Sequence, residues 1–222
     1  MNSTSGLATD ETPDDEPLTL SDAALTYLRR GWPIFAVDRG GKKPLVEWKR
    51  YQDRLPIEKE VKAWWQKWPQ ANVGMATGHL SGFVVVDCDS EEAATRFVEA
   101  YPEAETTLQV QTDRGRHFYF QHEEGVRNNS SLLGPGIDVR GEGGFVILPP
   151  SIHSSGEPYK WLNQNEPQPM PDTLKEILSD HSKECGSDHS QVAAAERLHR
   201  CAAKNAESSD WPEEIDPEPH RC

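Results

Sequence analysis

No stretch of the chain approaches the ~20 consecutive apolar residues that a membrane-spanning helix requires. Its N-terminus lacks the basic-then-apolar pattern of a secretory leader, so the expectation is a cytoplasmic protein without membrane association. Cysteine is scarce: Cys88, Cys185, Cys201 and Cys222 contain no C-x-x-C pair, which argues against a disulfide framework. Cys185, His189, His199 and Cys201 have a spacing that fits no common zinc module. Lysine and arginine are missing from the first 28 residues, which carry Asp10, Glu11, Asp14, Asp15, Glu16 and Asp22.

That uneven distribution governs how the formal net charge of -14 is read. A global negative charge argues against nucleic-acid binding, which needs a basic footprint. Here the acid is concentrated in the tails, for beyond Ala203 stand Glu207, Asp210, Glu213, Glu214, Asp216 and Glu218 against only Lys204 and Arg221. Between Arg29 and Lys67 the balance reverses, to 11 basic residues against 5 acidic. The polar ends read as disordered acidic tails, residues 1–20 and 179–222, around one domain at residues 21–178.

Within that domain the periodicity alternates between helix and strand. Ser21 or Asp22 is a candidate N-cap for a helix that Gly31 ends, and Trp32–Val37 follows as a strand. Asp38–Pro44 is a loop presenting Lys42 and Lys43 beside two glycines, where a lysine can meet phosphate as a point charge or simply face solvent. A helix over 56–67 carries Val61, Trp64 and Trp65 near one face, with Trp68 just beyond; core packing is favoured there over base stacking. Residues 72–78 read as a strand, a turn and a hairpin-like return into Phe83–Asp89. Ser90 caps a helix, and strands are expected over 108–112 and from His117, as a strand, glycine turn and strand within Gly136–Ser151, and at 159–161. A closing helix is expected over 172–178.

Three places carry chemistry. Phe83-Val84-Val85-Val86 is a buried strand ending in Asp87-Cys88-Asp89, and side chains at i and i+2 share a strand face. Two carboxylates that close repel unless a cation lies between them, and a hard divalent ion suits carboxylate oxygens. The alternative is a solvated strand end that caps the next helix. Next, the turn Asp113–Arg116 brings Gly115, whose backbone can approach an anion, beside Arg116 and His117. Finally, Asp138 lies in an apolar-flanked strand and needs a compensating partner if buried, either a metal or Arg140 at i+2.

Taken in order, Asp87-Cys88-Asp89, Gly115-Arg116-His117 and Asp138 resemble the motifs of the prim-pol domain of the archaeo-eukaryotic primase superfamily. The Lys42-Lys43-Pro44 loop with Trp48, and Pro149-Pro150-Ser151 before Tyr159 and Trp161, add to the likeness, which spans residues 21–178. One departure is Arg114 where relatives often have a second glycine. Another is the absence of a G-x-x-x-x-G-K-[ST] loop, so these residues hold no fused helicase motor.

The resemblance implies an α/β (α+β) fold with a mixed central sheet flanked by helices. It implies template-directed nucleotidyl transfer, as a DNA primase or DNA polymerase, in replication of a plasmid, phage or other mobile element. Two Mg²⁺ or Mn²⁺ ions about 4 Å apart would be held by Asp87, Asp89 and Asp138. His117 would hold the triphosphate with Gly115 and Arg116, and Lys42 or Lys43 would assist. Implied partners are single-stranded DNA template and primer, dNTP or NTP, and a separate helicase. Two other readings are a non-catalytic nucleic-acid or nucleotide-binding accessory and a metal-dependent glycosyltransferase built on Asp87-Cys88-Asp89. The latter explains neither His117 nor Asp138.

Overall fold

A computed structural model describes residues 19–40 and 42–184; both proposed tails and the Cys185, His189, His199, Cys201 set lie outside the described residues, apart from Thr19, Leu20 and residues 179–184. The elements run α1 (Leu20–Arg29), β1 (Ile34–Val37), a 3-10 turn (Trp48–Gln52), α2 (Glu58–Lys67), β2 (Asn72–Ala76) and β3 (Phe83–Cys88). Then follow α3 (Glu91–Ala100), a 3-10 turn (Pro102–Thr106), β4 (Leu108–Gln111), β5 (Arg116–Gln121), β6 (Ile137–Arg140), β7 (Phe145–Leu148), β8 (Lys160–Trp161) and α4 (Asp172–Glu184).

Helix starts follow side-chain capping. Ser90 accepts the Ala93 N–H and opens α3 as its sequence implies. For α1 the cap is Thr19 rather than Ser21 or Asp22, because the Thr19 hydroxyl reaches the Asp22 N–H and lets the helix begin at Leu20. The tryptophans of the second helix serve the core: Trp65 is buried with its Nε1 donating to Ala71 O at 3.0 Å, and Trp64 and Trp68 pack partly buried against the same cluster.

The strands form two antiparallel sheets, a three-stranded one in the order β1-β2-β7 and a five-stranded one in the order β6-β3-β5-β4-β8. The class is α+β with helices flanking the sheets, and the central sheet is divided in two. The hairpin-like return expected between residues 72 and 89 does not form, since β2 pairs with β1 and β7 while β3 pairs with β5 and β6. Only an isolated bridge, Gly78 to Phe83, joins the two segments. The reason is burial on both faces: β2 and β3 are buried at every position, so their apolar runs encode no preferred partner.

Two apolar cores result. Val84, Val86 and Cys88 face α3 and α4, packing with Phe97, Phe118 and Leu174. Phe83 and Val85 face the first sheet and α1. Each fully buried side chain of this size contributes about 1.5–3 kcal/mol, so β3 is anchored from both sides. By alternation Asp87 emerges on the first-sheet side, the only charged residue of the strand.

Candidate active site

The strand register assembles the site. Asp87 of β3 stands opposite His117 of β5 on one side and Asp138 of β6 on the other. Three residues far apart in sequence therefore form one row across adjoining strands, all on the face turned to the first sheet. Asp89 follows just beyond the strand, its N–H donating to Gly136 O at 2.9 Å.

Every charge in the row has a partner, as burial demands. Asp87 Oδ1 lies 3.2 Å from His117 Nε2, and its Oδ2 lies 3.5 Å from Arg140 Nη2. The same Arg140 nitrogen donates to Asp138 Oδ2 at 2.7 Å, while Asp138 Oδ1 accepts the Ser131 N–H at 3.0 Å. Burial alone would raise the Asp87 carboxyl; attraction from His117, then Lys42 and Arg140, outweighs it and holds the group well below the ordinary carboxylate range. Asp89 moves the other way, raised first by desolvation and then by the negative charges of Asp87 and Asp138. Asp89 thus senses both of the other acids.

Asp87, His117 and Arg140 line a cavity of about 160 Å³ together with Lys42, Trp48, Phe145 and Tyr159; Asp89 and Asp138 lie outside its lining. Trp48 and Phe145 pack ring to ring at 5.0 Å. The floor includes Gly143 and Gly144 of the turn joining β6 to β7. That turn is fixed by Glu142, which accepts the His79 N–H at 2.7 Å and meets His122 Nε2 at 2.9 Å. Thr77 adds a bond from its hydroxyl to Gly141 O at 2.7 Å.

Of the residues singled out from sequence, Asp87, His117, Asp138 and Asp89 come together, and Lys42 reaches the cavity from its loop. Arg116 does not. It lies on the opposite face of β5 from His117 and forms a two-pronged pair with Glu91 of α3, Nε to Oε1 at 3.3 Å and Nη2 to Oε2 at 2.6 Å. Adjacent strand residues point to opposite sides, so the same backbone cannot aim both at one ligand. The Gly115 N–H is also engaged, donating to Thr112 Oγ1 at 3.1 Å. The role of that glycine is closeness instead: a Cβ there would lie 1.9 Å from Cys88 O and 2.7 Å from Ser90 N. The turn before β5 rests directly on the backbone of the acidic segment. Lys43 is exposed and does not line the cavity.

Arg140 is the residue whose part exceeds what the sequence reading gave it. Its i, i+2 spacing from Asp138 signals the pairing; the reach to Asp87 depends on strand order, which spacing does not carry.

Carboxylate oxygens are the donors that a hard divalent cation takes, and Asp87, Asp89 and Asp138 would supply them. Among the described residues, however, no three His, Cys, Asp or Glu side chains are gathered as a ready cage. The place between Asp87 and Asp138 is taken by a guanidinium.

Among the described residues no helix is long and apolar enough to cross a membrane. Compared with known families, residues 24–173 match the Prim-Pol description, bifunctional DNA primase/polymerase, N-terminal. No curated protein matches the chain.

Proposed function

Because the chain belongs to the Prim-Pol family, we propose that it catalyses template-directed nucleotidyl transfer as a DNA primase, a DNA polymerase or both, in the replication of a mobile genetic element. The observation that carries this reading is the row Asp138–Asp87–His117 across three paired strands, with Asp89 at its edge. In the reaction a primer 3′-oxygen attacks the α-phosphorus of the incoming nucleotide, and the bond to pyrophosphate breaks. Asp87, Asp89 and Asp138 would hold Mg²⁺ or Mn²⁺, which when bound supplies activation of the 3′-hydroxyl and neutralisation of charge on the leaving group.

The protein's own groups do the positioning. His117 is buried against Asp87, and its Nδ1 has no partner. An imidazole fixed in this way can donate to a phosphate oxygen once Asp87 turns to an ion. Lys42 offers an ammonium at the mouth of the cavity, and its charge reaches both Asp87 and Asp89. Trp48 and Phe145 give the cavity an apolar wall, which lowers its local polarity and strengthens the electrostatic contacts inside.

A non-catalytic, nucleotide-binding accessory is the second reading, favoured by the guanidinium that already contacts two of the acids. Incorporation of labelled dNTP and NTP on single-stranded template, with and without a primer, separates the two. We expect incorporation with Mg²⁺ or Mn²⁺ and its loss in Asp89→Ala. Nucleotide binding without any incorporation, under either metal, would leave the accessory reading standing.

A further inference from the structure

β6 carries an acid and its neutraliser on one face, since Asp138 and Arg140 are spaced i, i+2. The Arg140 side chain is 22% exposed, against 8% for Asp87 and 17% for Asp138, so the three groups share a poorly solvated patch. No oxygen of either acid is idle. His117 and Ser131 take one each, and Arg140 takes the remaining two. A cation arriving at both carboxylates must displace something, and among the described residues Arg140 is the group that touches both.

The manner of the contact bears on whether it can be displaced. Arginine held permanently by carboxylates commonly binds through a two-pronged fork, as Arg116 does with both oxygens of Glu91. Arg140 instead divides a single nitrogen between two acids, at 2.7 Å and 3.5 Å, and the longer contact is weak. One charge shared between two carboxylates does not balance both, and Lys42 is the further cation whose charge reaches Asp87 and Asp89.

We propose that Arg140 is an exchangeable counter-ion. It holds Asp87 and Asp138 together in the metal-free site and yields them to divalent ions. The freed guanidinium then meets the triphosphate in the same cavity. Ion and nucleotide would therefore load cooperatively, each removing the partner that the other must displace. This inference rests on the metal-dependent reading above and adds the order in which the site opens.

The test is Mn²⁺ binding to the full chain, followed by the paramagnetic resonance signal of the free ion at pH 7, without nucleotide. We expect the wild type to bind, Asp138→Asn to lose the tight ion, and Arg140→Gln to bind about tenfold tighter, an ordinary size for coupling between two ligands of one site. Arg140→Lys should show a smaller gain, and it replaces Arg140→Gln as the informative variant if circular dichroism shows the latter misfolded. Calorimetry with Ca²⁺ and dNTP should show weaker nucleotide binding in Arg140→Gln. Wild-type binding of Mn²⁺ with unchanged or weaker binding in both Arg140 variants overturns the counter-ion while leaving the metal-dependent reading intact. Failure of wild type and variants alike to bind Mn²⁺ overturns the metal-dependent reading, and the counter-ion with it.

Discussion

The two faces of β3 have the same backbone and opposite chemistry. Toward α3 and α4 it presents Val84, Val86 and Cys88 to a wholly apolar core. Toward the first sheet it presents Phe83 and Val85, then Asp87 within reach of His117 and Arg140. The contrast is sharpest between neighbours: burial pushes the Cys88 thiol far up, while the partners of Asp87 hold its carboxyl down. Both sides are buried. What differs is whether adjoining strands supply opposite charge at the same level, so the functional face is made by register rather than by exposure.

That contrast can be broken residue by residue. Asp87→Ala should lower nucleotide incorporation by about a thousandfold or more, since loss of transition-state charge stabilisation costs several kcal/mol. Cys88→Ala, one residue along, should keep incorporation and lose about 1 kcal/mol of stability in urea unfolding. The next pair lies on β5. Phe118→Ala empties a fully buried site and should cost about 3–5 kcal/mol of stability. His117→Ala should instead raise the KM for nucleotide about tenfold, the worth of one charge-assisted hydrogen bond, with kcat less affected.

Gly115→Ala touches both faces at once. Its Cβ would press on the backbone of Cys88 and Ser90, so we expect about 3 kcal/mol of destabilisation by urea together with reduced incorporation. The smallest effect lies away from the strand, at the surface of α2. Glu60 pairs with Arg54 at 2.7 Å and accepts the Ile57 N–H, and is held down at about 2. A folded-state value below the ordinary 4.5 means that its stabilisation is present above pH 4.5 and is lost as pH falls toward 2. Glu60→Gln should flatten that part of the urea-midpoint profile and leave the neutral-pH activity unchanged.

Much of this arrangement is legible in the sequence because it is local. The valine run, the acids at i and i+2, the Ser90 cap and the tight turn before His117 each follow from spacing or side-chain chemistry. What is not legible is partnership. β6 and β7 are separated by only a short glycine turn, yet they belong to different sheets, pairing with β3 and β2. Glycine turns usually return a strand to its neighbour, and no pattern in Phe145–Leu148 says otherwise. The Arg116 expectation failed for a reason present in the sequence: as the immediate neighbour of His117 on a strand, it had to face the helices. Arg140 was visible as a partner for Asp138, but its contact with Asp87 needed strand order.

The row Asp138–Asp87–His117 also limits how the length of this chain can vary. Deleting or adding one residue inside β3, β5 or β6 would turn an acid or the imidazole toward the helices and bring an apolar neighbour into the cavity. The turns at 112–115 and 122–136 lie outside those strands, but the first is pinned by the contact of Gly115 with Cys88 and Ser90. The second is tied as well, at His122 to Glu142, at Ser131 to Asp138 and at Gly136 to Asp89, so a tolerance scan across residues 83–140 would trace the site as three short gaps at the strands with narrower ones at these ties.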